Sequence, residues 1–515
     1  MLSEFLLADM ARHTALPLNR QLYEAMRRAM LDGKLAAGER LPSTRDLAQD
    51  LGVSRNTVMA AIGQLTVEGY LSSHVGSGTY VADTVSTLAL GHAQPNDGTT
   101  AQALRSARTA HAARTARSLV PDPLPLSNRG EALAHRFNAT DLEVQPFAPG
   151  PADFGAFPVN LWQRLQNRHW RQTRADMLDY SATGGYGPLR RAVADYLRVF
   201  RSVQLEPDQV LITSGTQQSL ELCAQLLADP GDTVWVEDPA YWGATKAFLA
   251  TSLAMHPVAV DGEGICPTPA DHAHPPRFLY VTPSHQYPTG AVMSLPRRHQ
   301  VLQAARQHNA WVLEDDYDSE FRFSGPPVSS LQGLDADGRV LYMGTFSKVL
   351  YPGLKLGYLV VPQARVAEFR QAHYDLNRPG QLTQQAALAE FIEMGHFAST
   401  LRRARQAYAE RRKALVAALQ PVLHSGLGWI SGAEQGLHLC LRLVPKPDGT
   451  PVDDRALAHT LAQQGLTVRP LSAYCLKRQD LRGLVIGYGY ASLAQIAHHG
   501  PRLAAFIAGG AHTSS

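Results

Sequence analysis

Gly344-Thr-Phe-Ser-Lys348-Val-Leu-Tyr-Pro-Gly-Leu-Lys355-Leu-Gly357 decides how this chain is read. It follows the apolar run Val340-Leu-Tyr-Met343 and precedes Tyr358-Leu-Val-Val361, and each run predicts a buried strand. An ammonium held between two buried strands is costly without a partner. A lysine condensed with an aldehyde escapes that cost and acquires a chemical role. Thr345 and Ser347 are small hydroxyl residues that suit a phosphate close to the backbone, and Lys355 offers it a counter-charge. Lys348 is therefore a candidate pyridoxal phosphate (PLP) lysine. The alternative is a surface lysine in a strand-to-strand loop.

The surrounding 146–510 segment alternates strand and helix patterns, which predicts an α/β domain. Val210-Leu-Ile-Thr213 is a strand, and Ser214-Gly215-Thr216 opens the helix after it. Free backbone N–H groups at such a helix start favour an anion. Glu237-Asp-Pro-Ala-Tyr241 and Glu314-Asp315-Asp316-Tyr317-Asp318 each follow a further apolar run. Ligands of open α/β sheets collect at strand ends of this kind. PLP needs a lysine, an anion site and an acid beside its pyridinium nitrogen, and it gains from a stacked ring and a donor to its phenolic oxygen. Lys348, the Ser214–Thr216 loop, Asp315, Tyr241 and Tyr317 supply these in turn. Each has a plainer alternative as turn, core or solvated acid, but all follow buried strands of one chain.

A chain of 515 residues is too long for one ordinary core, so more than one domain is expected. A net charge of +3 excludes no partner. Four scattered cysteines show no metal-like or paired spacing, so no metal is expected and a reduced compartment is. Without a signal-like start or an apolar run of bilayer length, a cytoplasmic protein with no membrane partner is the expectation.

Residues 10–82 read as a separate α+β unit. Leu22, Met26, Ala29 and Met30 follow helical spacing over Leu18–Leu31. Ser43 and Ser54 stand as caps of two short helices joined at Leu51-Gly52-Val53, a helix-turn-helix pattern. Gly69 to Val81 reads as two strands about a glycine turn, the wing. The second helix would present Ser54, Arg55, Asn56 and Thr57 to the major groove of double-stranded DNA. Arg40, Ser43 and Arg45 would hold phosphates, and His74 and Gly76 would reach backbone or minor groove from the wing. Residues 1–82 carry 8 Lys/Arg against 8 Asp/Glu, so this expectation rests on arrangement and not on charge. A helical interaction module is the alternative. Residues 83–145, rich in Ala, Thr, Ser and Pro, read as a linker with a short helix near 100–118.

Leu41-Pro-Ser-Thr-Arg45, Gly78-Thr-Tyr-Val81, Thr213-Ser-Gly-Thr-Gln-Gln218, Thr282-Pro-Ser-His-Gln286, Glu314-Asp-Asp-Tyr-Asp-Ser-Glu-Phe321 and Gly344-Thr-Phe-Ser-Lys348 occur in this order. On these motifs, from Leu18 to the C-terminus, the chain resembles the MocR subfamily of GntR-type transcriptional regulators. The resemblance implies a winged helix-turn-helix joined to a fold-type I, aminotransferase-like PLP domain that ends in a small α+β subdomain. It implies an internal aldimine at Lys348, Asp315 at the pyridinium nitrogen, Tyr317 at the phenolic oxygen and Tyr241 stacked on the ring. Ser214, Gly215, Thr216, Thr345 and Lys355 would hold the phosphate, with Tyr180 reaching the partner subunit's cofactor in a head-to-tail, domain-swapped homodimer. The implied function is a regulator that senses PLP or an amine effector and binds operator DNA with repeated half-sites. A working aminotransferase with an accessory DNA-binding domain is the alternative, and turnover is left open. Where aminotransferases carry a carboxylate-gripping arginine, this chain has Leu484-Val-Ile-Gly487-Tyr488. Gly243 stands where a GABA-responsive member has another arginine, so Arg469 and Arg482 are the candidate substitutes. Lys355 replaces an arginine common in relatives, and Tyr287 replaces the asparagine that ordinary aminotransferases place before Pro-Thr-Gly.

Overall fold

The computed structural model describes residues 2–11, 16–74, 78–83, 125–135, 145–150, 152–180, 183–323, 328–432 and 434–512. The chain divides into two compact units between Pro123 and Leu124.

In the first unit four helices, α1 (Leu2–Met10), α2 (Leu18–Leu31), α3 (Thr44–Leu51) and α4 (Arg55–Val67), pack with the hairpin β1 (Leu71–His74) and β2 (Gly78–Val81). Both predicted caps form: Ser43 Oγ accepts from Asp46 N at 3.2 Å and Ser54 Oγ from Thr57 N at 3.1 Å. Gly52, at φ 62°, ends α3 in the left-handed region, and the chain turns there into α4. One apolar cluster joins Leu22, Met26, Leu47, Leu51, Val58, Ile62 and Leu65 to Leu71 and Val81 of the hairpin. Each such side chain contributes about 1.5–3 kcal/mol on burial. Leu6 and Met10 of α1 belong to the same cluster, so the packed unit begins ahead of residue 10.

The second unit is built on an eight-stranded sheet ordered β3-β10-β9-β8-β7-β4-β5-β6. Its strands are β3 (Val210–Thr213), β4 (Thr233–Asp238), β5 (Ala254–Asp261), β6 (Gly264–Ile265), β7 (Phe278–Val281), β8 (Trp311–Asp316), β9 (Val340–Thr345) and β10 (Gly357–Val360). β9, β8, β7, β4 and β5 run parallel, and β10 lies antiparallel between β3 and β9. β3 therefore points the same way as β9, and the C-terminal ends of six strands share one edge. Alternate residues of these strands feed opposite apolar clusters, as a sheet covered on both faces requires. A four-stranded antiparallel sheet, β11 (Gly428–Ser431), β12 (His438–Leu443), β14 (Gly483–Gly487) and β13 (Arg469–Pro470), forms the small α+β subdomain with the helices Asp454–Gln463 and Leu493–His512.

Two further sequence expectations change. β4 and β8 run on to Asp238 and Asp316, two or three residues past their apolar runs, because the acids that end them are buried and bonded. Within the segment read as linker, the helix Asn128–His135 is docked on the second unit. Arg129 Nη1 donates to Ser252 Oγ and Lys246 Nζ to the Leu133 carbonyl, both at 3.2 Å. The short helix expected near 100–118 lies outside the described residues.

Candidate functional site

Lys348 sits in the turn after β9, and its Nζ donates to the Gly150 carbonyl at 2.9 Å. Gly150 is held there because Phe147 O takes the N–H of Gly487 at 2.8 Å. A Cβ at Gly487 would come within 2.7 Å of Pro149 Cα, so only glycine lets this segment reach the lysine. Burial lowers the Lys348 pKa, against the opposing pull of Asp318 and Asp315. A lysine with a depressed pKa has a larger neutral, nucleophilic fraction.

The acids beside it are not equivalent. Glu314 accepts from Leu331 N and Gln332 N, both at 2.9 Å, and burial lifts its pKa to about 7. Asp316 is paired with the buried guanidinium of Arg201 at 2.7 Å. Asp318 meets His285 Nδ1 at 2.8 Å. Among the described residues Asp315, 2% exposed, has one hydrogen-bond partner and it is neutral: the Tyr280 hydroxyl, which donates to Oδ2 at 2.8 Å. Its Oδ1 has no partner among the described residues, and burial raises its pKa to about 7. A buried carboxylate with one vacant oxygen and no hydrogen-bonded cation suits a cationic ring N–H.

At the same sheet edge, Gly215 at φ 102° caps the helix Thr216–Leu227 without a side-chain cap bond. The first N–H groups of that helix are thus left for an anion. Gly357 pairs with both Thr213 and Thr345, and a Cβ there would lie 2.8 Å from Gly215 Cα and from Gly344 O. The anion loop and the Lys348 turn therefore approach through this glycine. Ser214 is exposed, and Thr345 Oγ1 accepts from Ser347 N at 3.1 Å. Lys355 is exposed at φ 50°. Beside Ser214 lies a cavity of about 280 Å³ lined by Thr213, Gln218 and Arg378. Tyr180 is 56% exposed.

Tyr241 begins the helix Trp242–Ala250 and meets Tyr287 edge-on at 5.6 Å. Tyr287 in turn meets Tyr317 at 5.9 Å, and its hydroxyl lies 3.0 Å from that of Tyr474. A Cβ at Gly243 would fall 2.5 Å from the Tyr241 ring, so the ring occupies the space an arginine would need there. Of the two other arginines, Arg482 Nη1 donates to the carbonyls of Gln479 and Leu481 at 2.9 Å. Arg469 lies on β13 opposite Val485, and its charge acts on Tyr287 and Tyr474. Lysine, acid, anion loop and rings fit PLP in kind and placement. Gly150, Tyr280 and Arg201 escaped the sequence reading because none lies in a catalytic-looking motif. His285 was visible within Thr282-Pro-Ser-His-Gln286 but carried no assigned role.

On the first unit Arg40, Ser43, Arg45, Ser54, Arg55 and Asn56 are exposed and Thr57 is half-buried. Arg40, Arg45 and Arg55 make no ion pair among the described residues. Arg55 Nε reaches Thr44 Oγ1 at 3.4 Å, which links the two short helices. Arg40 bridges to Tyr80, and a Cβ at Gly78 would come within 2.9 Å of its Nε, so this guanidinium lies against the wing. Gly76 lies outside the described residues, as does the side chain of His74.

The family of bacterial regulatory proteins named gntR matches residues 18–81, and aminotransferase class I and II matches residues 156–485. A probable rhizopine catabolism regulatory protein, MocR of Rhizobium meliloti, is 39% identical over 93% of this chain and 91% of its own length. The pyridoxine biosynthesis transcriptional regulator PdxR of Corynebacterium glutamicum is 31% identical over 93% of each chain. The transcriptional regulator TauR of Rhodobacter capsulatus is 32% identical over 88% of each. Among solved structures, kynurenine aminotransferase of Pyrococcus horikoshii superposes with a TM-score of 0.64 at 25% identity, over 77% of this chain and 98% of that one. The α-aminoadipate aminotransferase LysN of Thermus thermophilus, complexed with N-(5'-phosphopyridoxyl)-L-leucine, gives 0.63 at 27% identity over 75% and 95%. No helix among the described residues is long and apolar enough to cross a membrane.

Proposed function

Because the chain belongs to the MocR-type members of the GntR family, with an aminotransferase class I and II domain behind a helix-turn-helix, we propose that it is a PLP-binding transcriptional regulator. The carrying observation is Asp315, a buried carboxylate whose Oδ1 has no partner among the described residues and whose one hydrogen-bond donor among them, the Tyr280 hydroxyl, is neutral. PLP, when bound, supplies an aldehyde that takes up primary amines and a ring that withdraws electrons. Lys348 provides the amine that holds it, and Asp315 keeps the ring nitrogen protonated. Gly215 and Thr216 present N–H groups to the phosphate, with Ser214, Thr345 and Lys355 around it. Tyr241 covers the ring and Tyr317 faces the phenolic oxygen. Tyr180, exposed in one chain, reaches the cofactor of a second copy, so the working unit is a homodimer with the helix-turn-helix units exchanged head to tail.

An incoming amine competes with Lys348 for the cofactor. Arg469, whose charge reaches the tyrosine-lined side of the pocket, takes the effector's carboxylate or sulfonate, while Arg482 is committed to backbone. The amine biases the dimer between states of different DNA affinity, provided it binds one state more tightly. Arg55, Asn56 and their neighbours read bases, and Arg40, Ser43 and Arg45 hold phosphates.

The test uses the full-length protein. PLP should give a visible absorbance band that borohydride fixes at Lys348 and that Lys348→Ala abolishes. An amine that alters the band should change affinity for the DNA upstream of the gene. A protein that binds no such DNA at any effector concentration, yet turns over amino donors with 2-oxoacids at steady state, would be an enzyme and not a regulator.

A further inference from the structure

We infer that the buried pair His285–Asp318 is a positioning device for Tyr317, leaving that tyrosine's hydroxyl proton free for the cofactor's phenolic oxygen. The inference rests on the PLP reading above. His285, in the loop after β7, is 2% exposed, and Asp318, beyond β8, is 1% exposed. His285 Nδ1 lies 2.8 Å from Asp318 Oδ2 and 3.1 Å from the Tyr317 hydroxyl, and the His285 and Tyr317 rings are near parallel, 25° apart.

An imidazole nitrogen has one in-plane position and serves one proton there. If Asp318 is ionised, Nδ1–H donates and is shared between the carboxylate and the tyrosine oxygen. If Asp318 is protonated, its own O–H fills that position. In either state the Tyr317 proton is not needed at His285 and points to another acceptor. His285, Asp318 and His438 place their ligating atoms within 4.8 Å of one another, a spacing that a metal ion could use. The packing favours the hydrogen-bonded pair. His438 Nε2 faces the Pro288 carbonyl at 3.2 Å. A Cβ at Gly436 would lie 2.5 Å from His285 Nδ1 and 2.7 Å from Asp318 Oδ2, so backbone closes over their shared bond. The other charged or titratable groups facing these residues are Lys348, Asp315, Asp316, Glu237, Glu320, Tyr287, Tyr488 and His438.

A donor to the phenolic oxygen stabilises its anionic form and so lowers the pH at which the Lys348-linked cofactor loses its proton. The full-length holoprotein is titrated with pH while the visible band is followed. His285→Leu should move the midpoint up by about one pH unit, a tenfold change in the protonation equilibrium. His285→Asn, whose amide N–H can replace Nδ1–H, should restore most of it. Tyr317→Phe should give the same rise, and His285→Leu should add nothing in that background. An unmoved midpoint in a His285→Leu protein that melts like the parent would overturn the inference. So would a shift that adds in full to that of Tyr317→Phe, because His285 would then act without the tyrosine. Absence of a Lys348-dependent band in the unaltered protein would instead overturn the PLP reading, and this inference with it.

Discussion

Asp315→Asn should stabilise the cofactor-free protein and weaken its binding of PLP. In the cofactor-free protein, burial raises the Asp315 pKa from 3.8 to about 7. At about 1.4 kcal/mol per pH unit, that shift of about three units makes the ionised carboxylate cost about 4 kcal/mol in the folded state. The sign follows from proton counting. Between pH 4 and 7 the folded chain holds a proton at Asp315 that the unfolded chain has lost, so stability falls as pH rises through this window and levels off above 7. Asparagine removes the charge and keeps an acceptor for Tyr280. Its amide group takes the vacant position unpaired, which costs about 1–3 kcal/mol. The net gain above pH 7 is therefore about 1–3 kcal/mol, and none remains below pH 4. Denaturant unfolding of cofactor-free parent and variant, followed by circular dichroism from pH 4 to 8, reads the difference. Glu237 and Glu314, also raised to about 7, tilt both curves alike and cancel. With PLP present the gain should be offset, because a charge-assisted bond worth about 1.5–3 kcal/mol is lost, a tenfold to hundredfold rise in Kd. A variant less stable than the parent at pH 8 in the empty form, with an unchanged pH slope, would refute the account of Asp315 as an uncompensated charge.

Gly357→Ala should loosen the anion loop, since its methyl group would meet Gly215 Cα and Gly344 O at 2.8 Å. PLP affinity by absorbance titration should fall at least about tenfold, the worth of one charge-assisted phosphate contact. Arg45→Ala, at an exposed position, should leave the melting curve unchanged and weaken binding to all DNA sequences alike. The slope of log affinity against log salt should become shallower by about 0.9, as expected for one phosphate contact. Arg201→Ala strands the buried carboxylate of Asp316 and should cost about 3–5 kcal/mol in denaturant unfolding. Arg201→Met with Asp316→Leu should recover part of that loss, because removing both charges spares the desolvation of either.

The N-terminal unit was legible because its signals are local. A cap bond spans three residues and a helix face repeats within seven, so Ser43, Ser54, Gly52 and the Leu22–Met30 stripe declare themselves without knowledge of the rest of the chain. The same holds for the strand-then-loop rhythm that located Ser214, Tyr241, Asp315 and Lys348 at strand ends. Strand ends were misjudged at Asp238 and Asp316 because a buried acid looks like a solvated one until its partner is known. Asp238 accepts from the N–H groups of Leu476, Lys477 and Arg478, each at 2.9 Å and nearly 240 positions away.

By itself, then, the order of residues determined two folded modules, the element types within them and the strand ends where chemistry could gather. Tertiary structure alone decided which of those polar groups answer one another. It set the Gly150 carbonyl on Lys348 across 198 positions, supplied Arg201 to Asp316 and His285 to Asp318, and left Asp315 Oδ1 without a partner among the described residues. The physical reason is range. Capping and periodicity are settled by neighbours along the backbone, whereas the cost of a buried charge depends on what the folded chain brings within about 3 Å of it.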